Sequence, residues 1–124
     1  MADKSTNVNG DKLAFFKSGA GFYKDGYCRT GPEDSRHLSI AAIMSHAFHQ
    51  SEFGDNHYQG IKAGDRTCLS AHDFKACIQE MGPDFGPKVF LSATDKKALE
   101  IVSLKDLKKY THPKEREAAT GFPD

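Results

Sequence analysis

The chain has no tryptophan, so its bulky core groups must come from nine phenylalanines and four tyrosines. It has no net charge either: lysine plus arginine and aspartate plus glutamate stand at 17 each, balanced in both halves. Nonspecific nucleic-acid affinity comes from neutralising phosphates with basic side chains, so this balance argues against a nucleic-acid partner. The longest basic bias, Lys105, Lys108, Lys109, Lys114 and Arg116, reads as a solvated helix face and tail. No apolar run is long enough for a bilayer and no hydrophobic leader opens the chain, which predicts no membrane partner and no export. The cysteines, Cys28, Cys68 and Cys77, are odd in number and lack zinc-ligand spacing. The expectation is free thiols, none in an intramolecular disulfide, in a reducing, cytoplasmic compartment, with no metal and no cofactor.

What is present fits one small domain. Hydrophobic residues make up 38% and charged residues 27%, a globular balance. Residues 1–12, MADKSTNVNGDK, are polar and aperiodic and read as a disordered tail. Residues 113–124, bounded by prolines, read as a second tail with at most one helical turn, leaving the domain at 13–112. Leu13–Phe16 is a short strand or turn. Lys24-Asp25-Gly26, set between Phe22-Tyr23 and Tyr27-Cys28, signals a tight turn. Leu38–Met44 suits a buried strand, and Ser45 then caps a helix from His46 to Phe53. Arg66–Leu69 predicts another strand. Ser70 with Asp73 makes an acidic capping box for a helix through Met81 that stops at Gly82. Val89–Leu91 is a third strand, Thr94 or Asp95 caps a helix from Lys96 to Val102, and Ser103 with Asp106 caps Leu104–Tyr110. Short strands interleaved with short helices predict an α+β or α/β domain, a short mixed sheet with helices packed on it.

The stretch GFYKDGYCRTGPED, from Gly21 to Asp34, resembles the opening motif of an uncharacterised bacterial and fungal family, the domain of unknown function 2237. Ser39–Ser45 with Phe48, Gly60–Arg66 with Cys68-Leu69, and Pro87–Leu107 resemble its later motifs, in order, so the likeness covers about residues 15–110. It implies kinship as a divergent member and carries no activity. Leu38 and Ala41 stand where the family pattern implies histidine and cysteine, Ser70 where it implies a second cysteine, Thr67 for an aromatic residue, and Asp95 for a histidine. A thiol–imidazole site in relatives would be mostly missing from this chain.

No residue cluster forms a catalytic signature, so candidate chemistry rests on local composition. Cys28 follows a tight turn beside Lys24, Arg29, Arg36 and His37, and positive neighbours favour a nucleophilic thiolate. Its alternative is a small buried hydrophobe. Cys68 on a strand and Cys77 beside Phe74, Ile78 and Met81 read as core. His46 and His49 share a helix face, which is more simply a solvated surface than a metal pair. Ser18-Gly19-Ala20-Gly21 lacks the lysine of a phosphate loop and reads as turn. The loop Asp25–Asp34 gathers the carboxylates of Asp25 and Asp34, the Cys28 thiol, the Thr30 hydroxyl and the Arg29 cation within ten residues. Cys28 and Asp34 are the candidate catalytic groups, and Asp25, Thr30, Arg66 and Cys68 the candidate ligand-binding ones. Arg66 would face the loop as a fixed cation for a carboxylate or phosphate, or pair with Asp34. The plainer alternative is a structural clasp in which the carboxylates satisfy turn N–H groups. The leading functional expectation is a domain that binds a small anionic or polar molecule, with catalysis left open. The rival is a non-catalytic protein-interaction module.

Overall fold

The computed structural model describes residues 5–52, 58 and 60–115. The apolar run expected as a buried strand is the centre of the molecule: β1, Leu38–Ile43, lies between β2, Arg66–Ser70, and β3, Lys88–Val89, in the order β2-β1-β3. Both pairings are antiparallel. Two isolated parallel bridges, Cys28 with Thr94 and Val89 with Thr111, extend the ladder beyond the named strands. The architecture is a small α+β domain.

Both faces of β1 are covered. Ile40, Ala42 and Met44 enter the main core with Leu69, Val89, Phe48, Phe74, Val102 and Leu107. Ala41 enters a second, smaller core with Phe16, Cys28, Cys68, Phe90 and Ala93. The alternation is that of a strand, whose successive side chains point to opposite faces. A register irregularity between Leu38 and Ile40 moves Leu38 onto the smaller core's side.

The helices begin where capping residues predict and end sooner. In α1, His46–Gln50, the Ser45 side chain accepts from Phe48 N; in α2, Ala71–Cys77, Ser70 accepts from Asp73 N; in α3, Leu104–Lys109, Ser103 accepts from Asp106 N. The expected end of the first helix, Phe53, lies outside the described residues. The expected helix from Lys96 is a 3-10 segment, Lys96–Glu100, preceded by a 3-10 turn at Leu91–Ala93. Phe90 N bonds Ala41 O, but the chain coils at once into that turn, so the third strand stops at Val89 rather than Leu91.

The expected N-terminal tail belongs to the domain from Ser5 onward. Asn7 is buried: its Oδ1 accepts from Asn9 N and Asp11 N, and its Nδ2 donates to Ser92 O at 3.0 Å. Val8 packs in the main core, and Val8 N bonds Thr94 O. One buried amide can organise a polar turn, which composition alone does not reveal. At the other end, residues 113–115 form a helical turn and Glu115 accepts from Ser92 N and Oγ.

Candidate functional site

The loop Asp25–Asp34 folds into two carboxylate-closed turns. Asp25 accepts from Tyr27 N at 3.2 Å and from Arg29 Nε at 2.8 Å. Gly26 has φ 92°, in the left-handed region that glycine tolerates, and a Cβ there would strike the Phe15 ring. The Arg29 guanidinium lies 4.0 Å from the Tyr23 ring centroid. The Tyr23 hydroxyl donates to Glu33, which raises the phenol's pKa and lowers that of the Glu33 carboxyl. Buried Asp34 closes the second turn, accepting from Thr30 Oγ1 at 2.9 Å, Leu38 N at 2.8 Å and His37 N at 3.1 Å. These bonds hold His37 at φ 60°, an uncommon conformation for a residue with a Cβ.

A third carboxylate fastens this loop to the C-terminal half. Asp95 is buried; its Oδ2 accepts from Thr30 N at 3.0 Å and its Oδ1 from Lys97 N at 2.9 Å. Lys97 Nζ donates to Thr30 O at 3.1 Å. Between the turn and the 3-10 segment Lys96–Glu100 opens a cleft of about 720 Å³. Arg29, Lys96 and Lys97 supply its cations, Glu33, Asp95 and Glu100 its carboxylates, and Ser5, Thr6, Tyr23 and Thr30 its hydroxyls. A second hollow of about 420 Å³ continues past Gly31 and Pro32 to Asp34, His37 and His72. The His37 ring bonds Ser39 Oγ at 2.8 Å and sets its Nε2 3.5 Å from Glu100 Oε1.

Arg66 and Cys68 lie elsewhere. Leu38, held by Asp34, is paired with Ser70, whereas Arg66 is paired with Ile43 at the opposite end of β1. Five strand residues separate the two positions by roughly 16 Å. The expected pairing of Arg66 with Asp34 is therefore not made. Arg66 instead donates to Phe16 O at 3.4 Å and stands about 5 Å over the Phe16 and Phe90 rings. Together with Cys68, Lys17 and Arg36 it lines a different pocket, of about 320 Å³.

The expectation of free cysteines is corrected. Cys28 and Cys68 form a disulfide with Cα atoms 5.3 Å apart, and only Cys77 is a free, buried thiol. Cys68 sits opposite the small Ala41 on the ladder, while Cys28 bridges to Thr94, whose Oγ1 accepts from Ala41 N. Both sulfurs are thereby brought beneath the same strand. An odd count leaves one cysteine over; it does not forbid a pair. In this state Cys28 has no thiolate and cannot be the nucleophile expected of it. The inference of a reducing compartment loses its premise as well, although among the described residues no helix is long and apolar enough to cross a membrane.

The structure thus brings Thr30 and Asp34 to one surface, ties Asp25 to Arg29 at its edge, and leaves Arg66 and Cys68 on another. Sequence reasoning missed Tyr23, Glu33, Lys96 and Lys97 as cleft residues. Asp95 was visible only as a cap and as a departure from the family pattern. A capping carboxylate has a second oxygen, and that second oxygen was the available signal. Among the described residues, no group of three or more His, Cys, Asp or Glu side chains is placed to hold a metal ion.

A family model described as an uncharacterized protein conserved in bacteria matches residues 6–111. No curated protein matches the chain.

Proposed function

The chain belongs to the DUF2237 family of uncharacterised bacterial proteins, and we propose that it binds a small anionic or polar molecule in the cleft between Arg29–Glu33 and Lys96–Glu100. The observation that carries this reading is the cleft itself. Its volume of about 720 Å³ falls within the size range of small-molecule sites. Its walls are braced by Asp95, which bonds both the loop and the 3-10 segment. A braced wall loses little freedom on binding, which favours affinity. The three cations suit a carboxylate or phosphate, while Glu33, Glu100 and the hydroxyls suit a ligand with donors as well. Asp34 already accepts three hydrogen bonds, so its part is to shape the loop, and binding rather than catalysis is the reading we favour.

Heteronuclear NMR with a panel of small carboxylates and phosphates tests this. The expected result is saturable shifts of the amides in 29–33 and 96–100, weakened in Lys96→Glu. A panel that shifts no cleft amide overturns the reading. The rival interaction module draws on Phe15, Phe22 and Phe85, exposed at 56%, 37% and 66%. Phe15→Ser and Phe22→Ser would abolish a protein contact while leaving small-molecule shifts intact.

A further inference from the structure

We propose that the pocket beside the Cys28–Cys68 disulfide is an anion site that admits small anionic thiols to Cys68 for thiol–disulfide exchange. The pocket, of about 320 Å³, is separate from the cleft discussed above. Lys17, Arg36 and Arg66 line it, and among the described residues no carboxylate does. Arg66 makes no ion pair among the described residues; its contacts are the Phe16 carbonyl and two aromatic rings. Along one wall runs the Ser18–Gly21 loop, whose Ser18, Gly19 and Gly21 N–H groups donate no hydrogen bond among the described residues. Thr67 adds a hydroxyl. Unbonded amides beside cations suit an anion.

The same pocket reaches sulfur. Cys68 lines it and is 4% exposed, whereas Cys28 is fully buried. A Cβ on Gly21 would stand 3.8 Å from Cys68 Sγ, so the glycine keeps that wall thin. The two cysteines therefore differ in access: both are buried, but Cys68 borders the pocket, beside positive charges, and Cys28 does not. Exchange runs by attack of a thiolate on one disulfide sulfur, and access decides which is attacked. Here the incoming thiolate bonds Cys68 Sγ, the Cys28–Cys68 bond breaks, and its electron pair leaves on Cys28 Sγ, which takes up a proton. A second thiol attacks the mixed disulfide, releasing the small disulfide and the Cys68 thiol. Two small thiols are oxidised and one protein disulfide is reduced. The cations concentrate anionic thiols at the mouth and stabilise thiolate.

The test compares two reductants on the oxidised full chain: 2-mercaptoethanesulfonate, which is anionic, and cysteamine, which is cationic. Rates are referred to each reagent's own thiolate concentration. The sulfonate is expected to react roughly tenfold faster at low salt, with the advantage shrinking as salt screens the charges. Lys17→Gln and Arg66→Gln should each reduce it, and both residues are exposed, so folding is spared. Acid-trapped mixed disulfide should map to Cys68. Equal rates for the two reagents in the unaltered chain, or an adduct on Cys28, overturn the proposal. So does titration of three thiols in denatured protein that was never reduced.

Discussion

The two faces of the central strand are covered by different means. On one side, Ile40, Ala42 and Met44 meet three helices and large apolar side chains, among them Phe48, Phe74 and Leu107, all with essentially no exposure. On the other, Ala41 belongs to a core of six buried residues, counted among the described residues, under a chain from 13 to 36 that contains no named helix or strand. That cover is held by a disulfide and by the carboxylates of Asp25, Asp34 and Asp95. The first face is stabilised by burial, which scales with apolar area. The second has little apolar area and depends on a cross-link and directed hydrogen bonds. Both proposed sites lie along this second cover, where loops on a firm scaffold can present polar groups.

The comparison predicts distinct failures. Phe74→Ala should be the most damaging single change, about 3–5 kcal/mol, because Phe74 is fully buried and packs edge-to-face on Tyr110 at 5.3 Å. A urea midpoint close to that of the unaltered protein would show that the helix-covered face is not the main store of stability. Removing the disulfide by Cys28→Ala with Cys68→Ala should come next. It joins residues 40 apart, for which chain-entropy reasoning gives about 3–4 kcal/mol. The comparison is sharper in hydrogen exchange: amides of the 13–36 cover should lose protection while those of the three helices keep theirs. Uniform loss across both faces would make the two covers one cooperative unit.

A smaller effect isolates the helix-covered face by pH. Burial pushes the Cys77 thiol from its ordinary 9.0 up to about 12. Below pH 9 the thiol is protonated in folded and unfolded chains alike and contributes no pH dependence. Above it the unfolded chain loses the proton first, so stability falls as pH rises toward 12, on the order of 1 kcal/mol for the first unit. Cys77→Ala should remove that portion of the alkaline decline, and native Cys77 should resist alkylation at pH 8. Rapid alkylation of the native protein would mean that this core opens readily.

The face built on burial was also the face legible in sequence. Its strand showed as the apolar run Leu38–Met44, and its helices as serine caps ahead of periodic apolar residues. The loop-covered face was legible only as a dense motif. Nothing in local spacing puts Cys28 under Ala41, since the pairing depends on Thr94, more than sixty residues away, accepting from Ala41 N. Nor does a capping aspartate announce that its second oxygen will hold Thr30 N, as Asp95 does. The loop was recognised as a place where binding groups gather, but its partner surface was sought at Arg66 and found at Lys96–Glu100. Long-range polar contacts leave no periodic trace, and the shortfall of sequence reasoning follows from that.

The smallest predicted difference separates two caps of identical pattern. Ser70 and Ser103 each accept a hydrogen bond from the N–H of the residue three positions on, at 3.2 Å in both cases. An alanine at either position should cost ~1 kcal/mol. Their surroundings differ. Ser103 is exposed, and water can replace its oxygen. Ser70 is buried, and its own N–H donates to the Tyr58 hydroxyl at 2.9 Å, which in turn donates to Asp73 at 3.0 Å. Tyr58 thus completes the capping box that Asp73 would otherwise close directly. Burial and this bonded carboxylate raise the Tyr58 pKa, keeping the phenol a donor at neutral pH. Removing the Ser70 hydroxyl leaves Asp73 N without its acceptor in a partly buried place, and a buried donor left unmade costs more than one rehydrated at the surface. Ser70→Ala should therefore be more destabilising than Ser103→Ala, which urea denaturation of the two variants measures. Equal denaturation midpoints for the two serine variants would show that Tyr58 and Asp73 hold the start of α2 without the cap.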